Sequence, residues 1–135
     1  MNLLGRTKIV TSILPVVSQT ALTETVIDCT GFDRVCHIIH VGAIASGGTL
    51  EYSVTESAKS DGSSGSAITG AALTKVLQAG KENVYAIDIP VNPAKPYQLA
   101  VGVAAGADVA VGAVAVLYEG SGTFPKDAAK EAIIL

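Results

Sequence analysis

The chain has no tryptophan, one methionine and two cysteines, and its aromatics amount to only 4% of 135 residues. Sugar-binding sites are built on exposed aromatic platforms, which this composition supplies poorly. Charge is also scarce: 16% of residues are charged, against an ordinary ~25%. The two arginines, Arg6 and Arg34, and the seven scattered lysines form no basic stripe, and the net charge is −3. Nothing tracks a phosphate backbone, so nucleic acid is not an expected partner. A membrane-crossing helix needs about 20 apolar residues in succession. The nearest run, residues 99–117, is broken by Gly102, Gly106, Asp108 and Gly112, so no membrane partner is expected either. Residues 9–17 follow Arg6 and Lys8 in the manner of a secretion signal. Ser12 and Pro15 interrupt them, and no small-residue cleavage site follows; they read as mature protein.

The inventory of reactive groups is similarly thin. The two histidines, His37 and His40, are three residues apart; on a strand that spacing puts them on opposite faces, where they cannot share a metal. No nucleophile elbow, phosphate loop, zinc-protease motif or Cys-x-x-Cys pair is present. The glycine-rich run from Asp61 to Gly65 is not followed by the Lys-Ser/Thr and helix that a phosphate cradle requires. Asp28, Asp33, Glu51, Glu56, Asp61, Asp88 and Asp108 fall mostly at strand ends or on solvent faces. Of these, Asp61 and Asp108 are the loop carboxylates best suited to a hard cation. Cys29 and Cys36 read as small buried residues of a reducing compartment, and a disulfide would require them to fall opposite each other. Neither an enzymatic activity nor a cofactor is expected.

What the chain does have is Ala, Val, Ile and Leu, which make up most of its 49% apolar content. The β-branched residues favour strands, and the small ones let sheets or subunits approach closely. Low charge with this much apolar surface predicts that part of the exterior is covered by partners. Alternation and turn residues predict strands at 9–17, 26–29, 34–41, 49–56, around 73–77, 83–89, 97–103 and 109–119. Pro15 marks an edge or bulge. The 34–41 strand is apolar on both faces, which places it in the middle of a packed structure. Residues 25–57 read as an antiparallel meander, the last two strands as a hairpin, and Pro90, Pro93 and Pro96 as a stiff crossover. The expected core is Val26, Ile38, Leu50, Tyr52, Val54, Tyr85, Ile87, Leu99, Val101 and Leu117. The fold class is therefore all-β: an antiparallel β-sandwich or jelly roll of about eight short strands. The expected organisation is an arm at 1–8, a sandwich domain at 9–119 and a tail at 120–135.

That tail joins a Gly-Ser-Gly hinge at 120–122 to Phe124, Pro125 and an apolar end, Ile133, Ile134 and Leu135. These five residues are the candidate partner-binding positions, because an apolar end gains most in a partner's groove.

Three stretches carry a family resemblance: Val26 to Asp33 with the strand after it, Tyr52 to Ser57 with the Asp61–Gly62 loop, and Tyr97 to Val103. In order and spacing, over residues 9–120, the chain resembles the small β-sandwich head proteins of tailed bacteriophages, the capsid decoration, cement or stabilisation type. It departs from that pattern in continuing beyond the last strand. The resemblance implies a virion structural protein on the capsid surface, assembled in a host bacterial cytoplasm. Its implied partners are the major capsid protein and other copies of itself, as a dimer or trimer. The competing readings are a head–tail connector or tail component, and a host- or carbohydrate-binding module.

Overall fold

A computed structural model describes residues 7–118 and 131–134. The strands are β1 (Thr7–Ser18), β2 (Thr25–Asp28), β3 (Arg34–Ile44), β4 (Thr49–Ser57), β5 (Ser66–Ala72), β6 (Asn83–Pro90), β7 (Tyr97–Ala105), β8 (Val109–Tyr118) and β9 (Glu131–Ile134). The only helical element among the described residues is a single 3₁₀ turn, Gln78–Gly80.

Eight of these strands form two four-stranded antiparallel sheets in the orders β1-β8-β3-β6 and β2-β7-β4-β5. This is jelly-roll order: each sheet interleaves strands distant in sequence, and successive strands change sheet except β4 and β5, which pair with each other. β9 adds a fifth strand to the first sheet, parallel to β6. The all-β sandwich expected from alternation is the fold observed, and β3 lies at the centre of its sheet.

The connectivity differs from the expected meander. β2, β3 and β4 do not pair in sequence, since β2 and β4 belong to one sheet and β3 to the other. Nor are β7 and β8 a hairpin; they too lie in opposite sheets. The turns at 45–48 and 106–108 are corners between sheets, joined by a hydrogen bond from the Ala45 amide to the Asp108 carbonyl (2.9 Å). Gly106 sits there at φ +81°, and a Cβ would lie 2.3 Å from the Gly47 carbonyl oxygen. Only glycine fits.

Three other expectations are corrected. The fifth strand runs over Ser66–Ala72, not 73–77. Residues 73–77 leave the sheet edge and touch β4 by an isolated bridge, Leu50 to Val76. The face of β7 is inverted: Gln98, Ala100 and Ala104 are buried, whereas Leu99 and Val101 are half-exposed and Val103 is exposed. At Gly102 the inner side of β7 is already occupied by Leu22 and Ile13, which leaves room there for small residues only. At Gly102 a Cβ would stand 2.7 Å from Leu22 Cδ1 and 3.2 Å from Ile13 Cδ1. Finally, Val26 and Ile38 are half-buried on outer faces. Ile27 takes the core position on β2, and Ile39 on β3.

Leu50, Tyr52, Val54, Tyr85, Ile87 and Leu117 are buried as expected. The main cluster is centred on Ile39, Leu50, Tyr52 and Ile87. A smaller one, of Ile27, Cys29, Val35, Ala115 and Leu117, closes the end beneath Phe32.

Candidate interaction surface

Three constellations stand out among the described residues. The first is polar and internal. His37 projects from β3 into the core with no exposure. Its Nε2–H donates to Gln98 Oε1 at 2.8 Å, and its Nδ1 faces the Tyr52 hydroxyl at 3.5 Å. Burial pushes the imidazole pKa down to about 4, against the opposing pull of the Gln98 hydrogen bond. Burial likewise raises the Tyr52 phenol. The ring is thus neutral at pH 7 and out of reach of solvent. It organises the core; it is not placed to exchange protons with a substrate.

The second lies on the outer face of the β1-β8-β3-β6 sheet. Arg34 Nε donates to Asp88 Oδ1 at 3.1 Å, and the Tyr118 hydroxyl donates to Asp88 Oδ2. Arg34 is opposite Tyr118 in one ladder and opposite Pro90 in the other, which brings the three side chains together. Asp88 is only 2% exposed, so guanidinium and phenol supply the hydrogen bonds that water would otherwise provide. Burial, ahead of the adjacent carboxylate, raises the Tyr118 phenol to about 12. A buried carboxylate held by two donors is a structural tie across β8, β3 and β6.

The third constellation is apolar and open. Ala110, Gly112 and Val114 of β8 floor a groove of about 870 Å³. Pro15 and Val17 of β1 wall one side; Ile38, His40 and Val84 wall the other. The sequence builds it directly: small residues on the outer face of β8 sit between larger ones on its neighbours. Pro15 belongs to an irregular stretch of β1, whose register against β8 shifts between Thr11 and Ile13 and again between Ile13 and Val16. Leu14 is consequently turned out, 74% exposed, and Val17 is 63% exposed. Ile9, Leu14, Val16, Val17 and Val114 all belong to β1 or β8, and among the described residues the only other exposed large hydrophobics are Leu77 and Val103. β1 is also an edge strand, and it carries no charge between Lys8 and Ser18. An uncharged edge that no other described element covers is a surface for a partner.

His37 and His40 face opposite ways, as their spacing predicts: the first is buried and the second exposed on the groove wall. Cys29 and Cys36 are both buried free thiols, each pushed up to about 12 by burial. Asp61 and Asp108 serve local structure. Asp61 Oδ1 accepts the Ser63 amide at 2.9 Å and Asp108 Oδ1 accepts Gln19 Nε2 at 2.6 Å. No group of three or more His, Cys, Asp or Glu side chains gathers among the described residues.

Of the five partner-binding positions expected in the tail, Phe124, Pro125 and Leu135 lie outside the described residues. Ile133 and Ile134 belong to β9, which pairs with Ile87 and Asp88 of β6. Ile133 is half-buried against the main core cluster. The groove at β1 was not foreseen as a site. Its signal was present in the uncharged run from Ile9 to Val17, which alternation identifies as a strand but does not identify as uncovered.

No family model matches the chain, and no curated protein matches it. Among solved structures it is similar to a chain described as "Structure of infectious bursal disease virus Gx strain". The TM-score is 0.48 and the identity 14%, over 92% of this chain and 34% of that one. The chain thus spans about a third of the length of that neighbour. A likeness at this level carries no argument about function.

Proposed function

We propose that this protein is a non-enzymatic structural component of a virion, a jelly-roll subunit that binds and stabilises an assembled capsid from outside. The observation that carries the reading is the uncharged apolar surface of β1 and β8, with Leu14 and Val17 largely exposed beside an open groove. Such a surface is a liability on a free monomer and an asset on one held against a shell. The likeness of residues 9–120 to phage decoration and cement proteins supports the same reading. On it, the partner is the major capsid protein, the location is the capsid surface, and assembly takes place in a bacterial cytoplasm.

A carbohydrate-binding role draws little support from the aromatics. Tyr52 and Tyr85 are buried, and the Tyr118 hydroxyl is engaged by Asp88.

The experiment is to titrate the purified protein onto assembled phage heads that lack it and measure occupancy by sedimentation. Leu14→Asp and Val17→Asp place charge on exposed positions, so they should leave the circular dichroism spectrum unchanged and lower occupancy at least tenfold. Undiminished occupancy by both folded variants would remove the β1 surface from the binding site. No binding by the unmodified chain would remove the capsid reading itself.

A further inference from the structure

The eight antiparallel strands form two four-stranded sheets without β9, which is the only parallel member among the described strands and makes its ladder with β6, Tyr85 to Glu131 through Asp88 to Ile134. Without it β6 would be the edge of its sheet, and Ile133 would leave its seat on the main core. The β6 edge is therefore a slot for one short strand.

We propose that this slot accepts the β9 strand of a second copy of the chain, so that neighbouring molecules are joined by exchanged C-terminal strands. Twelve residues, 119–130, separate β8 from β9. At roughly 3.3 Å per residue they reach about 40 Å. β9 lies three strand spacings from β8, about 14 Å. The exit at Tyr118 is level with Arg34 and Pro90, five residues past Tyr85, or about 16 Å along the strand. The direct span is thus about 22 Å, roughly half the available reach, and the remaining length suffices to enter the slot of an adjacent molecule.

The contacts in the slot are the same whether β9 comes from its own chain or from a neighbour. The balance is then set by effective concentration, which is on the order of 1 mM for a short linker. A strand of four residues on one ladder opens readily. Molecules crowded at that concentration or above exchange it, and dilute ones close on themselves. The inference rests on the β6–β9 ladder and not on the virion reading, and it is tested with the purified protein alone.

Ala86 and Ala132 are register partners in that ladder, at a separation suited to a disulfide. Two proteins, one carrying Ala86→Cys and the other Ala132→Cys, are unfolded, mixed and refolded together, then oxidised briefly. The native Cys29 and Cys36 are buried and stay out of the reaction. Exchange yields a disulfide-linked heterodimer whose fraction rises with protein concentration towards the limit of about half set by random pairing, and reaches about a quarter near 1 mM. The double variant at micromolar concentration yields an internal link instead. An internal link without any heterodimer up to 1 mM would overturn the exchange, and no link in either experiment would overturn the slot. As a second measurement that needs no cysteine, deleting residues 131–135 should abolish concentration-dependent dimerisation in light scattering. Dimerisation that survives the deletion would equally refute the proposal.

Discussion

Acid should loosen this fold through one residue, His37. Its imidazole is wholly buried between Gln98 and Tyr52, and its pKa falls from 6.5 to about 4, chiefly by loss of solvation. Below pH 6.5 the unfolded chain gains a proton there that the folded chain refuses until about pH 4. The stabilisation is therefore fully present above pH 6.5, declines between 6.5 and 4, and changes no further below that. At about 1.4 kcal/mol per pH unit, the loss between pH 7 and pH 4.5 is about 2 kcal/mol, a large part of a marginal stability. Gln98 adds no second titration, Tyr52 stays neutral, and Asp88 is the charged group whose field bears on the ring. Asp28 and Asp61, held low by hydrogen bonds from Thr30 and Ser63, begin to act only below their ordinary 3.8. Urea unfolding followed by circular dichroism at pH 7.0, 5.5 and 4.5 measures the slope. The His37→Gln variant should be nearly flat over that range, whatever its stability at neutral pH. Should that variant fail to fold, the His37 ring resonance in the unmodified protein serves instead, and it should begin to titrate only near pH 4. Equal stability of the unmodified protein at pH 7.0 and 4.5 would refute the reasoning.

Leu117→Ala, at a position with no exposure, should cost about 2–5 kcal/mol in denaturant unfolding, whereas Leu99→Ala, half-exposed on the outer face of β7, should cost clearly less. A reversed order would mean that the face of β7 is misassigned. Gly102→Ala should lose about 1–3 kcal/mol by overpacking, because its Cβ would meet Leu22 and Ile13 at 2.7 and 3.2 Å; an unchanged melting temperature would show that the two side chains can withdraw.

The all-β class and most strand positions were legible in the chain, because alternation and β-branching are local properties; β5 at Ser66–Ala72 and β9 at Glu131–Ile134 were not. Alternation places Leu50, Tyr52 and Val54 on one face of β4, and all three are buried. It also separates His37 from His40, and Pro15 announces the irregular edge strand on which the candidate surface stands. Even so, alternation alone picked the wrong face on β7. Leu99 and Val101 are larger than Ala100 and Gly102, but the space inside β7 at Gly102 is occupied by Leu22 and Ile13.

The amino-acid sequence by itself determined that this chain is built of strands, that little of its surface is charged, and where the turns fall. Only the tertiary structure decided which strands become neighbours. A tight turn looks the same in sequence whether it folds a hairpin or turns a corner between sheets, so jelly-roll order could not be read from the turn residues. The same holds for the groove. Ile9 to Val17 would read identically as a covered strand, and its exposure follows from β1 lying at the edge of its sheet. Likewise the short apolar segment ending at Ile134 carries no local mark of its partner. Its pairing with β6 rather than with β1, the other edge of that sheet, belongs to the tertiary structure.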